Sequence, residues 1–561
     1  MMFISIMILI VAIALPSINR NISPNLYLRI SSLLLLYTGA LTLNAFYIQS
    51  IGSGIGIYNG LFQITLFTQL FEIVIVLTGS VILIAWPLIN HKFIDNNLNL
   101  LKNKILNKEG HNILSINNYR IKYSIIVLIS TLGSLLLISS SNLITLYLSL
   151  ELQSFGLYIL ASLYRHSDIA ISAGLKYFLL GSLASCIILL GAGLIYSFTG
   201  LTNLDSIYSM ISVIDNNNIL LGFSLGLILI ILGLLFKIAA APLHNWAPDV
   251  YADSATIVTT WLTIMPKISI VLLLFEIQTH INLIENINII LELNPLNNIL
   301  NNNTVSFNNN YLWSKNLLLI SSLLSLLIGT ILGLAQTKIK RLLAYSTISH
   351  VGFILLALAI NSEQSIEALI FYIIQYTITN LNTFLIIILF GYIIKNSFKD
   401  LIQSIMVEDE TGTENDINYI SELKGQFFLN PVLSISLTIC LFSMAGIPPL
   451  IGFFSKQFVL YSAIQNGYYF MSIIAIIVSI ISASYYLKII KILFTKEENT
   501  SEYSDKELKI INNLNINSEI EISSTNSFII STLTLSILLF VLKPSILLNS
   551  TTILSLSLFN F

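Results

Sequence analysis

The chain has 561 residues, 55% hydrophobic and 10% charged, with a net charge of −2 and a mean hydropathy of +0.85. That is more apolar surface than a soluble core hides, so the composition excludes a soluble globular enzyme and specifies an all-α polytopic membrane protein. Nothing in the charge balance suggests a nucleic-acid partner.

In chain order, runs apolar enough to cross about 30 Å of hydrocarbon at about 1.5 Å per residue fall at 2–19, 29–50, 62–89, 121–139, 142–164, 170–197, 219–246, 253–277, 316–337, 342–360, 365–395, 430–463, 467–494 and 526–546. The first of these has no charge before it and is followed by Arg20 and Arg29. That is the reverse of a secretory signal's charge order, so it reads as a membrane helix that stays. Two cysteines, Cys186 and Cys440, lie far apart in apolar stretches. They provide neither a disulfide framework nor an iron–sulfur ligand set. Of the six histidines only His350 lies well inside a span, which leaves no facing pair for a haem. The excess of Ile, Leu, Asn, Ser, Tyr and Phe is what AT-rich codons produce and points to an organellar genome.

Fourteen spans place successive loops on alternate sides. One side then collects 21 Lys and Arg residues, among them Arg20, Lys92, Arg120, Arg165, Lys176, Lys338, Lys340, Arg341, Lys424 and Lys491, and the other only Lys315 and Lys543. One missed helix would scramble that split, so the count puts the basic loops inside and both termini outside. The hydrophilic inserts 90–120, 279–315 (with Asn301 to Asn303 and Asn308 to Asn310), 396–429 (with Glu408, Asp409 and Glu410) and 495–525 read as solvated loops without chemistry.

Three lysines, Lys237, Lys267 and Lys456, fall within the apolar runs. Each costs about 2.5 to 3.5 kcal/mol near a bilayer centre, which marks them as functional candidates. Two spans also carry helix-breaking sequence, Phe236 to His244 around Pro242 and Met444 to Lys456 around Pro448 and Pro449. Carbonyls freed by proline must face protein or water rather than lipid. Spans four to eight and nine to thirteen form two five-helix units, each with its break in the fourth helix, and an odd unit length inverts the second. The expected organisation is three helices and an inner loop over 1–120, a first repeat over 121–278, an outer loop over 279–315, a second repeat over 316–495, and a loop with a last helix over 496–561. By position along the chain, Lys237 and Lys456 both lie on the outer side of their prolines.

Glu151, inside the fifth span, is the natural counter-charge for Lys237. The pair reads either as a proton switch, if it opens, or as a fixed ion pair between helices. Lys267 follows Pro266 midway in its span, His350 reads as a relay or as a neutral hydrogen-bonded histidine, and Lys456 lies near a helix end. Glu72, a carboxylate without an obvious basic partner, and His244, beside the first break, are of second rank.

The stretches Leu150 to Gln153, Phe236 to Tyr251 (FKIAAAPLHNWAPDVY), Pro266 to Ile270 (PKISI), Lys340 to Phe353 (KRLLAYSTISHVGF) and Gly446 to Lys456 (GIPPLIGFFSK) resemble the antiporter-like membrane-arm subunits of mitochondrial respiratory complex I. His244, Trp246, Pro248, Asp249, Val250 and Tyr251 resemble the chain 2 branch rather than chains 4 and 5. The resemblance covers about 120–495, and the inserts suit a fungal or similar form. It implies a proton-translocating subunit of the mitochondrial inner membrane, with termini in the intermembrane space and basic loops in the matrix. Carried over, Glu151 and Lys237 form the first charged pair, Lys267 is the central lysine, His350 a relay and Lys456 the terminal lysine. The resemblance implies no cofactor in this chain, since NADH, FMN, iron–sulfur clusters and ubiquinone are used in other subunits. It implies chain 4 and the small chain 4L as neighbours, with cardiolipin as a lipid partner. Ala255 departs from the proline that many relatives carry, and the Asn-rich insert is also outside the pattern. Two other functions fit the same residues: a subunit of a multi-subunit sodium/proton antiporter, and a scaffold whose channel is inert.

Overall fold

A computed structural model describes residues 1–15, 24–48, 54–85, 109–164, 167–211, 217–292, 307–402, 416–495 and 524–559. The acidic run Glu408 to Glu410, Asn301 to Asn303, His166, and most of 90–120 and 495–525 lie outside the described residues. Twelve helices among those described are long and apolar enough to cross a membrane. The other two of the fourteen expected spans are a short first helix and a fourth helix of the second repeat that is split in two.

The helices are α1 (Met2–Ala14), α2 (Pro24–Ile48), α3 (Leu66–Ile84), α4 (Glu109–Ile138), α5 (Leu143–Ala161), α6 (Asp168–Thr199), α7 (Leu204–Ile211), α8 (Asn217–Ile238), α9 (Trp246–Asp253) and α10 (Thr256–Glu292). They continue as α11 (Phe307–Leu334), α12 (Ile339–Ile360), α13 (Glu363–Ile402), α14 (Gln426–Leu429), α15 (Pro431–Ala445), α16 (Ile451–Gln465), α17 (Tyr469–Phe494), α18 (Ser524–Leu539) and α19 (Ser545–Phe559). Serine and threonine hydroxyls recur within the spans and mostly donate to carbonyls three or four residues back, as Ser130 does to Val127 at 2.8 Å. This keeps them satisfied where water is absent.

The third span starts later than the apolar run suggests. Residues 55–64 form a hairpin, Ile55–Ile57 paired antiparallel with Phe62–Ile64, whose turn holds Tyr58, Asn59 and Gly60 at positive φ. Thr65 then caps α3 through the Thr68 N–H at 3.2 Å, which sets the helix start. The apolar C-terminal helix α19, which the span count did not include, packs on α13 and α3.

The first two helices of each repeat cross at glycine. A methyl on Gly133 of α4 would lie 2.7 Å from the Gln153 nitrogen of α5, and one on Gly329 of α11 would lie 2.7 Å from the Ser349 nitrogen of α12. Gly156 and Gly352 repeat the device about one turn away, against Ser130 and Ser325. Small residues let backbones approach where no hydrophobic effect drives helices together. The same sequence interval relates both glycine pairs. It sets Glu151 against Thr347 and Ser154 against His350, so the second repeat has no carboxylate matching Glu151 and carries a histidine about one turn further along.

Both fourth helices are interrupted, and both interruptions begin before the prolines. α8 ends with Ala239 at φ 64°, and α15 ends with Gly446 at φ 87°. The Ala240 N–H donates back to the Leu235 carbonyl and the Ile447 N–H to the Phe442 carbonyl, the same wide turn that closes many helices. The left-handed residue is what ends each helix, so the break lies closer to Lys237 than the proline position suggests.

Candidate functional site

The two spans buried most deeply in the bundle are α10 and α12, which carry Lys267 and His350. Every first-rank candidate lies on these two helices or on elements next to a break.

Lys237 closes the last turn of α8, and its Nζ lies 3.6 Å from Oε1 of Glu151 on α5. Both are buried, with side-chain exposures of 7% and 14%. At that distance and an effective dielectric of about 20, the attraction is about 4 to 5 kcal/mol before desolvation is subtracted. Among the described residues neither Lys237 Nζ nor Glu151 Oε1 has a hydrogen-bond partner, while Glu151 Oε2 accepts from the Ser154 hydroxyl at 3.3 Å. The contact is therefore an ion pair with free hydrogen-bonding capacity on both sides. A small cavity opens beside Lys237, lined by Gln153, Ser154, Trp246 and Pro266 among others, with space for about one water.

Gln153 extends the site towards α10. Its Nε2 donates to the Ser269 hydroxyl at 2.9 Å, and the hydroxyl in turn reaches Gln153 Oε1 at 3.2 Å. Gln153 lies two residues beyond Glu151 and Ser269 two beyond Lys267, so a neutral polar bridge joins the helices of the first two charged candidates. The glutamine within an apolar span was the available signal for it. The serine gave none, because hydroxyls are common throughout these helices.

Lys267 is 4% exposed, and its Nζ has no hydrogen-bond partner among the described residues. It faces two aromatic rings, Tyr251 of α9 at 5.6 Å and Tyr376 of α13 at 6.0 Å, contacts that favour a cation. The Tyr376 hydroxyl donates to the Thr263 carbonyl at 3.0 Å, close to Pro266, whose missing N–H loosens this turn of α10. Tyr376 also lies 6.0 Å from the His350 ring, so one aromatic side chain separates Lys267 from the histidine.

His350 is buried between two phenols. Nδ1 is 2.7 Å from the Tyr372 hydroxyl and Nε2 is 3.4 Å from the Tyr486 hydroxyl. Both ring nitrogens therefore have partners that either donate or accept a proton. Tyr372 stacks on Phe353 at 5.9 Å, and Lys456 Nζ lies 5.8 Å from that same Phe353 ring. Tyr372, Tyr376 and Tyr486 were not singled out in sequence, because tyrosines scattered through spans look like packing residues, and Tyr251 was named only within a motif.

Lys456, on α16, reaches back to the second break. Its Nζ donates to the carbonyls of Met444 and Ala445 at 2.8 and 2.9 Å, the last residues of α15. An ammonium there meets the negative end of the α15 dipole. At the first break a helix-end carbonyl, that of Phe236, accepts from the Trp246 indole N–H at 2.9 Å as well as from the Ala239 N–H at 3.1 Å. Sequence position put Lys456 outward of its break, but the side chain folds onto the break itself.

The second-rank candidates stand apart. Glu72 is half-buried on α3, and no ion pair among the described residues involves it. His244 Nδ1 lies 3.3 Å from the Pro242 carbonyl, within the loop of the first break. No group of three His, Cys, Asp or Glu side chains among the described residues is placed to hold a metal.

The inserts are not solvated loops throughout: α4 begins at Glu109, α10 runs to Glu292, α11 begins at Phe307 and α13 runs to Ile402, and within 396–429 Asp416 is buried and forms a 2.6 Å ion pair with Lys340. A single acid in a polar insert gives no sequence sign that it will turn inward, and the adjacent acidic run drew attention to solvent instead.

The chain matches the family described as NADH:quinone oxidoreductase/Mrp antiporter, transmembrane, over residues 140–310 and 289–482. It is 45% identical to NADH-ubiquinone oxidoreductase chain 2 of Rhizopus oryzae, covering 100% of both chains. A chain of respiratory complex I from Thermus thermophilus superposes with a TM-score of 0.66 at 23% identity, covering 98% of this chain and 99% of that one. A chain of the Mrp complex from Dietzia sp. gives 0.68 at 18% identity, with 98% and 96% covered. These two likenesses speak to the fold alone. The two matched segments fall one on each five-helix group, and with full-length identity to a chain 2 protein they establish that this chain belongs to the NADH:quinone oxidoreductase/Mrp antiporter family of membrane subunits.

Proposed function

We propose that this chain is a proton-translocating membrane subunit of NADH:ubiquinone oxidoreductase, in which Glu151, Lys237, Lys267, His350 and Lys456 transfer the proton. The observation that carries this reading is the continuity of the line. The Glu151–Lys237 pair is joined to the Lys267 helix by Gln153 and Ser269. Lys267 and His350 share Tyr376, and His350 and Lys456 share the Tyr372–Phe353 stack. A charge change on a neighbouring subunit opens or closes the first pair. When the pair opens Lys237 is left without its counter-charge, and the proton passes through Lys267 and His350 to Lys456 and leaves on the outer side. Waters bridge the gaps, which exceed direct hydrogen-bond reach.

The two half-channels correspond to 121–278 and 316–495. The basic loops face the matrix, both termini face the intermembrane space, and the membrane is the mitochondrial inner membrane. Redox cofactors lie in other subunits, with chain 4 and chain 4L as neighbours and cardiolipin at the lipid boundary. A Lys237→Ala variant in the assembled complex tests the reading through the proton-to-electron ratio. A lowered ratio supports it, whereas full assembly with an undiminished ratio favours an inert scaffold.

A further inference from the structure

α10 and α12 begin side by side and share one carboxylate. Asp416 Oδ2 accepts from the Thr256 N–H at 3.0 Å and Oδ1 from the Thr256 hydroxyl at 2.7 Å, at the first residue of α10. Oδ2 also accepts from Lys340 Nζ at 2.6 Å, and Lys340 donates further to the Ser254 carbonyl at 2.9 Å, just after the end of α9. The chain beyond Asp416 lies along the entry to α12: the Ile339 N–H donates to the Asn418 carbonyl at 3.0 Å, and the Ile420 N–H to the Thr337 carbonyl at 3.1 Å. Next to it, Arg341 holds Asp249 of α9 at 2.9 Å, with Lys176 of α6 on the same carboxylate at 3.3 Å.

The chemistry of the cluster suits a fixed join. A carboxylate at the start of α10 is favoured by the helix dipole, whereas a lysine in the first turn of α12 is disfavoured and needs the anion beside it. Side-chain exposures of 4% for Lys340 and 9% for Asp416 put the pair where net stabilisation from an ion pair is small and loss of one partner is costly. What such a pair supplies is geometry. Lys267 lies eleven residues above Thr256, and His350 ten above Lys340, about 16 and 15 Å along their helices. The two candidate relay groups therefore stand at the same height above one shared anchor.

We propose that Asp416 and Lys340 are positioning residues for proton transfer, fixing the axial register of α10 against α12 and so the placement of Lys267 relative to Tyr376 and His350. The proposal rests on Lys267 and His350 being relay groups. A slip of one residue moves one helix by about 1.5 Å past the other, and misplacement by about 1 Å costs up to about 100-fold in reactions that depend on position.

The test is made on the assembled complex in inner-membrane vesicles, with Asp416→Asn, Asp416→Glu and Lys267→Ala, reading complex abundance, NADH:ubiquinone turnover and the proton-to-electron ratio. Positioning predicts that the complex that does assemble with Asp416→Asn has a lowered ratio and about tenfold slower coupled turnover. Asp416→Glu, which keeps the charge but lengthens the side chain by one methylene, falls between it and the unaltered protein. A merely structural join lowers abundance and leaves the ratio per complex unchanged, and that result overturns the proposal. If Asp416→Asn fails to assemble, Asp416→Glu at normal abundance with an unchanged ratio overturns it equally. A lowered ratio in Lys267→Ala together with an unchanged ratio in both Asp416 variants removes the positioning role and leaves the relay intact. An unchanged ratio in Lys267→Ala removes the relay and the positioning role with it.

Discussion

The two broken helices end alike and solve the burial of their lysines differently. At the first break Lys237 meets a carboxylate, and the Trp246 indole donates to the Phe236 carbonyl, which also accepts from the Ala239 N–H. At the second, the lysine itself satisfies the carbonyls, and the glycine-related position of Glu151 is held by Thr347. A charge held by another charge responds when the partner moves or is neutralised, whereas a charge held by helix-end carbonyls has no partner that titrates. On the proposed reading the first break is therefore the one that changes state and the second the one that receives, although the backbone is nearly the same in both.

The largest effect that separates the two is expected from Glu151→Gln. Removing one partner of a buried pair leaves the other uncompensated, at about 3 to 5 kcal/mol. Coupled turnover should collapse, with abundance on native gels also reduced. An effect no greater than that of disturbing the second break would dissolve the contrast.

That disturbance is Gly446→Ala. The new methyl would stand in a left-handed backbone at φ 87° and 3.1 Å from Lys456 Cδ. The conformation costs about 1 to 2 kcal/mol, read as a fall in the thermal inactivation midpoint together with a moderate loss of proton translocation. Unchanged stability would show that the second turn relaxes more freely than its geometry suggests.

The smallest effect is expected from Ala239→Gly at the first break. Relief of φ 64° is worth about 1 kcal/mol, and loss of a fully buried methyl costs about 0.8 kcal/mol. The two nearly cancel, so thermal inactivation should shift little. A large loss in either direction would mean that the two helix ends are less equivalent than they look.

Much of this contrast was legible in sequence. Apolar runs and the loop-charge split located the spans, because membrane crossing depends on composition over a long window. The lysines stood out for the same reason. Residues whose roles depend on packing were not legible. Tyr372 and Tyr486 become partners of His350 only once α13 and α17 close around α12. Asp416 becomes a helix cap only when the insert folds inward. Nor does the proline pattern locate the breaks: the left-handed residues Ala239 and Gly446 end the helices first, and alanine carries no signal for that conformation.

The central claim is that protons pass through this chain by way of Lys267, the candidate on α10 at the join between the two halves. The most direct measurement is the proton-to-electron ratio of the assembled complex carrying Lys267→Ala, with NADH:ubiquinone turnover followed in the same vesicles. The account predicts normal abundance, continuing electron transfer and a lowered ratio. Full abundance with an unchanged ratio would contradict it.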